Sequence, residues 1–159
     1  MVIKAAVKIA AAVGLCLGAG AVGGWFTSPA IPTWYASLAK PSFTPPSWVF
    51  GPAWTTLYIL MGVATGLVWT RGWSAPGVRA ALGVFLGQLA LNVFWSAVFF
   101  GWRSPGGALV VIAALWGSIA VTIYLFRRVN TAAAVLLIPY LAWVTFAAAL
   151  NVAVWRLNS

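Results

Sequence analysis

Five long apolar runs dominate the chain, and most of its polar residues fall between them. A window suited to membrane helices places these runs at about 5–27, 47–70, 79–101, 106–127 and 131–155. Each is close to the roughly 20 residues that cross a bilayer core as a helix. Three of the breaks are short and rich in Gly, Pro and Arg: Arg71-Gly72-Trp73-Ser74-Ala75-Pro76-Gly77, Trp102-Arg103-Ser104-Pro105-Gly106 and Arg128-Val129-Asn130. These are turn chemistries, and short connections force neighbouring helices to run antiparallel. The pattern predicts an all-α, five-helix membrane bundle, one domain over residues 1–159. Lys4, the apolar run behind it and Ala19-Gly20-Ala21 also resemble a cleavable signal. Lys8 interrupts that run, and it continues through Trp25-Phe26, so it is read as a retained helix.

The one long connection, residues 28–46, has a composition of its own. Between Trp34 and Trp54 the chain holds three Trp, one Tyr and four Pro. Proline fixes φ and lowers the entropy of a coil. The segment therefore reads as an ordered lid with flat aromatic faces, suited to a flat apolar ligand.

Composition supports the membrane reading. Of 159 residues, 64% are hydrophobic and 6% are charged, far below the quarter or so that a soluble surface carries. All nine charges are Lys or Arg, with no Asp, Glu or His. They are scattered singly apart from Arg127-Arg128, so no nucleic-acid patch forms and anionic lipid headgroups are the better partner. Each cation must find phosphate, water, a backbone carbonyl or an anionic ligand. Lys4, Lys8, Arg71, Arg79, Arg127 and Arg128 fall on one side, and Lys40, Arg103 and Arg156 on the other. Six against three puts the amino terminus inside and the lid outside. A bacterial inner membrane is the expected location. Cys16, the single cysteine, lies in the first run and is read as filling space.

Polar residues at membrane depth are functional candidates, because hydrocarbon makes them costly. Gln88, Asn92, Trp95 and Phe99 fall within about 60° of one another on the third helix. Two readings stand: the amides face a cavity, or they bridge helices by hydrogen bonds. Gly83, Gly87, Ala90 and Phe94 fall on nearly the opposite face, and Gly83-x-x-x-Gly87 is a close-approach spacing suited to a second helix. Gly14/Gly18, Gly20/Gly24 and Gly62/Gly66 share that spacing. On the fifth run Pro139, Trp143, Ala147, Leu150 and Asn151 share a stripe, with Pro139 bending the helix. Small Ala147 leaves room beside Trp143 for a ligand edge. Trp54 and Tyr58 sit one turn apart on the second. An interfacial belt accounts for Trp25, Trp69, Trp73, Trp102 and Trp155 better than for the deeper Trp54, Trp95 and Trp143. Without His, Asp or Glu there is no acid–base dyad or triad, and the usual metal-ligand sets are excluded.

Three motifs carry a family resemblance. They are Trp34-Tyr35-x-x-Leu38-x-Lys40-Pro41-x-x-x-Pro45-Pro46-x-Trp48-Val49-Phe50-x-Pro52-x-Trp54, then Gln88-Leu89-Ala90-Leu91-Asn92-x-x-Trp95-x-x-x-Phe99-Phe100-Gly101, then Pro139-Tyr140-Leu141-Ala142-Trp143-x-x-Phe146-Ala147-x-x-Leu150-Asn151. Over nearly its whole length the chain resembles the tryptophan-rich sensory protein/translocator protein (TspO/MBR) family, also called the peripheral-type benzodiazepine receptor family. The resemblance implies a five-helix bundle closed by the first loop, usually dimeric. It also implies a membrane receptor or carrier for protoporphyrin IX and other tetrapyrroles, isoquinoline carboxamides and benzodiazepines. Some members bind sterols. Porphyrin is then a ligand, and no cofactor is required. Matching pocket positions are Tyr35, Trp54, Gln88, Asn92, Trp95, Trp143, Ala147 and Leu150, with Trp54 and Trp143 flanking the ligand and Gln88 and Asn92 supplying polar contacts. Gly83, Gly87 and Ala90 are the expected dimer face, and Lys40 or Arg103 the expected partners of propionates. The family's sterol pattern has a Tyr where Val152 stands here, which removes support for a sterol site at that place. Porphyrin photodegradation and transport are the alternative activities, the second without the internal repeat common in transporters.

Overall fold

A computed structural model describes all 159 residues, and it is helical throughout, without strands. The elements are α1 (Val2–Thr27), α2 (Phe50–Thr70), α3 (Val78–Ser96), α4 (Pro105–Val129), α5 (Thr131–Leu136) and α6 (Ile138–Leu157). A 3-10 turn, Ser47–Val49, leads into α2, and a π-helical turn, Ala97–Gly101, extends α3. With α5 and α6 counted together, five helical segments are long and apolar enough to cross a membrane. Their bounds match the expected spans to within a few residues.

Local chemistry explains the breaks. Gly72 and Gly77 take φ of 91° and 81° in the turn before α3, a region open to glycine at little steric cost. Arg103 takes φ 53° in the turn before α4. There Ser104 Oγ accepts from Gly107 N at 3.2 Å and Pro105 occupies the first turn, a favoured N-terminal arrangement. Asn130 caps α5 by accepting from Ala133 N. The last span is interrupted at Leu137, and Pro139 falls in the first turn of α6. Proline has no N–H to give to a continuous helix, so the break sits where its ring costs least.

Around the bundle the neighbours run α1, α2, α5/α6, α4, α3 and back to α1. The end that carries Lys4, Arg71, Arg79 and Arg127 holds a dense core, with Phe85 stacked on Phe126 at 5.9 Å and Met61, Val68 and Ile119 fully buried. Here α1 and α2 nearly touch: a Cβ on Gly62 would fall 2.4 Å from Val13 Cα, and one on Gly66 2.6 Å from Ile9 Cα. The Gly62/Gly66 spacing therefore serves contact within the chain. Cys16 is buried in the same core. At the other end a smaller cluster of Tyr35, Val98, Phe99, Ala108, Val111 and Val154 lies under the lid.

Three of the cations find backbone oxygens. Lys8 Nζ donates to Trp69 O at 3.2 Å and lies over the Trp69 ring. Arg79 Nε donates to Trp73 O, and Arg128 bonds Tyr124 Oη. Lys40 Nζ donates to Tyr35 O and Leu38 O at 2.8 and 3.0 Å, with Ala36 O at 3.4 Å, and sits over the Tyr35 ring. The lid is thus a folded object: a π-helical turn, Ile31–Tyr35, is tied to the later chain by one lysine.

Candidate functional site

Beneath the lid lies a cavity of about 460 Å³, within the usual range for small-molecule sites. Its aromatic lining comes from four places. Tyr35 belongs to the lid; Phe50, Trp54 and Tyr58 to α2; Trp95, Phe99 and Phe100 to α3 and its π turn; Trp143 and Phe146 to α6. Ala147, Leu150 and Asn151 continue the α6 wall, and Gly20, Gly23 and Gly24 of α1 contribute backbone rather than bulk. Helical spacing makes this possible, because residues three or four apart share a face.

The rings support one another at aromatic-pair distances. Trp54 stacks on Tyr58 at 5.6 Å and 29°, and meets Trp143 edge to face at 6.4 Å. Trp95 stacks on Phe99 at 5.3 Å, and Phe50 bridges Tyr35 and Trp143 edge to face. Trp95 Nε1 donates to Asn151 Oδ1 at 3.1 Å, while Asn151 Nδ2 donates to Pro105 O. That asparagine fixes the indole and ties three helices together.

Six of the eight expected pocket residues line the cavity: Tyr35, Trp54, Trp95, Trp143, Ala147 and Leu150. Gln88 and Asn92 do not. Both are 1% exposed and belong to a closed chain behind the cavity floor. Tyr58 Oη donates to Asn92 Oδ1 at 2.5 Å, and Asn92 Nδ2 donates to Tyr140 Oη at 2.8 Å. Tyr140 Oη donates to Gln88 Oε1 at 2.7 Å, and Gln88 Nε2 points at Met61 Sδ, 4.0 Å away. Here the amides bridge helices by hydrogen bonds. Buried amides satisfied in this way have little capacity left for a guest. Tyr58, not the amides, forms the floor.

The charged side chains lie away from the cavity. Lys40 has spent its protons on lid carbonyls, and Arg103 is exposed on the α3–α4 turn; neither lines the cavity. The donors at the wall are neutral. Tyr35 Oη and Trp143 Nε1 are buried without partners, and burial pushes the Tyr35 phenol above its ordinary range, which keeps its proton. Pro139 faces a shallow outer groove between α2 and α6 instead of the cavity. Gly83, Gly87 and Ala90 lie on the outer surface of α3, and a Cβ at either glycine would meet nothing within 4 Å.

Phe50 and Phe146, which stand in the quoted motifs, and the α1 glycines complete the walls although none was an expected pocket position. Their ring or backbone faces become visible only when the helix rotations are known. Trp25, Trp73, Trp102 and Trp155 are exposed near helix ends, as an interfacial belt requires, whereas Trp69 is half-buried under Lys8.

Five crossing helices, a folded lid and an aromatic cavity under it define a multi-pass membrane protein of receptor type. The chain belongs to the TspO/MBR family, whose model matches residues 12–156. It is 44% identical over 155 residues to the tryptophan-rich protein TspO of Chlorobaculum tepidum, covering 98% of each chain. It is 48% identical over 127 residues to the human translocator protein, covering 79% of this chain and 75% of that one. To the tryptophan-rich sensory protein of Cereibacter sphaeroides it is 42% identical over 125 residues, covering 79% and 77%.

Proposed function

We propose that this protein binds planar tetrapyrroles, protoporphyrin IX among them, in the cavity under the lid. Isoquinoline carboxamides and benzodiazepine-type compounds would share the site. The observation that carries this reading is the enclosure of one apolar space by Trp54, Trp95, Trp143, Phe50 and Phe99. A flat conjugated guest gains both stacking and apolar burial there. The unpartnered Tyr35 hydroxyl and Trp143 indole N–H suit a guest that carries acceptors, such as a propionate or an amide carbonyl. An acceptor would relieve the cost of leaving those donors unbonded.

The role that follows is that of a membrane receptor or carrier in tetrapyrrole regulation, transport or stress sensing. Relatives are named as translocator and sensory proteins, in keeping with a receptor. We place it in a bacterial inner membrane with its amino terminus inside, as a homodimer joined through Gly83, Gly87 and Ala90.

Tryptophan fluorescence quenching on titration with protoporphyrin IX tests the binding reading. Trp143→Ala removes a wall and a donor, and is expected to weaken binding by about tenfold or more. An unchanged quenching curve would count against this cavity. Illumination of the complex addresses the enzyme reading: a new absorbing product that vanishes in Trp54 and Trp143 variants would favour porphyrin breakdown.

A further inference from the structure

Two boundaries separate the cavity from its surroundings, and they are built differently. Toward water stands the lid. Asn158, at the end of α6, holds its middle: Ala39 N donates to Asn158 Oδ1 at 3.0 Å and Asn158 Nδ2 donates to Ala39 O at 2.9 Å. The same Nδ2 lies 2.7 Å from Val154 O, which anchors the amide to its own helix. Lys40 cross-links the lid internally, and Trp34 and Phe43 press edge-on against Phe99 and Phe146. Displacing the lid would break all of these contacts together.

Toward the bilayer, one boundary is the seam between α1 and α2, whose exposed residues Ala21, Gly51 and Thr55 also line the cavity. These helices touch at Gly66/Ile9 and Gly62/Val13, and Gly20 still abuts the Tyr58 ring, where a Cβ would lie 2.6 Å from ring carbon. One turn on, a Cβ at Gly24 would meet nothing within 4 Å. Beyond Gly20 the facing residues of the pair border the cavity. The residues at the opening, Ala21 and Gly24 of α1 and Gly51 and Thr55 of α2, are small and line the same cavity. Ala21 lies six residues before the end of α1 and Thr55 five after the start of α2, about 8–9 Å in at 1.5 Å per residue. The opening is thus at bilayer depth.

We infer that the guest is exchanged sideways with the bilayer, edge-on through the slot between α1 and α2, while the lid stays latched. This rests on the binding reading above. A planar apolar molecule is already concentrated in the membrane, so a side slot meets it where it resides. A slot between two helices suits a disc better than a rounded molecule.

Stopped-flow quenching, with the full chain in nanodiscs and protoporphyrin IX supplied from vesicles, tests the route. Ala21→Trp and Thr55→Trp, one on each helix, are each expected to slow association and dissociation by about tenfold, with Ala21→Leu intermediate. Asn158→Ala is expected to leave both rates within about twofold of the parent, since the latch is not on the path. Size-exclusion profiles identify any misfolded variant, and the variant on the facing helix then carries the test. Acceleration of exchange by Asn158→Ala, or parental rates in both slot variants, overturns the route. If the parent protein shows no saturable quenching, the binding reading falls first, an outcome distinct from binding by an unexpected path.

Discussion

Near Ile9 and Val13 the first helix lies against α2 with no room for a β-carbon on Gly66 or Gly62; near Ala21 and Gly24 the same pair borders a cavity. The half of the bundle around the first contact is close-packed, with Phe85, Phe126, Met61 and Ile119 fully buried. The half under the lid encloses a cavity walled by rings. Both halves are made of apolar residues, so hydrophobicity does not distinguish them. Arrangement does. Gly62 and Gly66 let α1 and α2 close up in one half, whereas in the other the rings line a space without filling it. Between the halves runs the Tyr58–Asn92–Tyr140–Gln88 chain, a buried polar partition.

The largest test of this contrast lies in the solid half. Gly66→Leu puts a side chain into the backbone of α1 and is expected to destabilise the protein by at least about 3 kcal/mol. The check is unfolding of purified protein in detergent. A parental midpoint would mean that α1 and α2 are not locked there.

The partition comes next. Asn92→Leu strands the Tyr58 hydroxyl and removes the donor to Tyr140, at an expected cost of about 1–2 kcal/mol. Adding Tyr58→Phe should recover part of that loss, because the orphaned hydroxyl is then gone. A fully additive double variant would show that the two groups are not coupled.

The outer face of α3 should respond least in stability. Gly83→Leu or Gly87→Leu meets open space, so unfolding should shift by under about 0.5 kcal/mol. The same variants are expected to move the protein toward monomer in detergent. A dimer that persists would transfer the interface to another helix. Changes of pH should matter less still: with no Asp, Glu or His, no side chain has an ordinary pKa between about 4 and 8. The unfolding midpoint is therefore expected to stay level from about pH 5 to pH 7, and a slope there would contradict that.

Much of the architecture was legible because bilayer crossing imposes a length and a composition that need no tertiary information. The spans, the turns at Gly72, Gly77 and Ser104, the belt tryptophans and the dense lid all follow from local pattern. Trp54, Trp95 and Trp143 could be picked out because a deep indole does not fit the interfacial belt, whereas Tyr35, Ala147 and Leu150 were expected from the family resemblance. Gln88 and Asn92 show where that logic stops. Their placement on the Trp95 stripe was right, yet one helical face spans enough arc to meet both a cavity and a neighbouring helix. Which amide met which depended on Tyr58 and Tyr140, two hydroxyls brought in from other helices. Lys40 makes the same point, since a free cation and one saturated by lid carbonyls read alike in a sequence.

The order of residues by itself determined that this chain lives in a membrane as five helices under an aromatic strap, because periodicity and hydropathy are local quantities. Tertiary structure alone decided which glycines bring helices together, which tyrosines consume the amides and where the bundle stays open. Those outcomes depend on rotation and crossing, and each helix acquires them only from its neighbours.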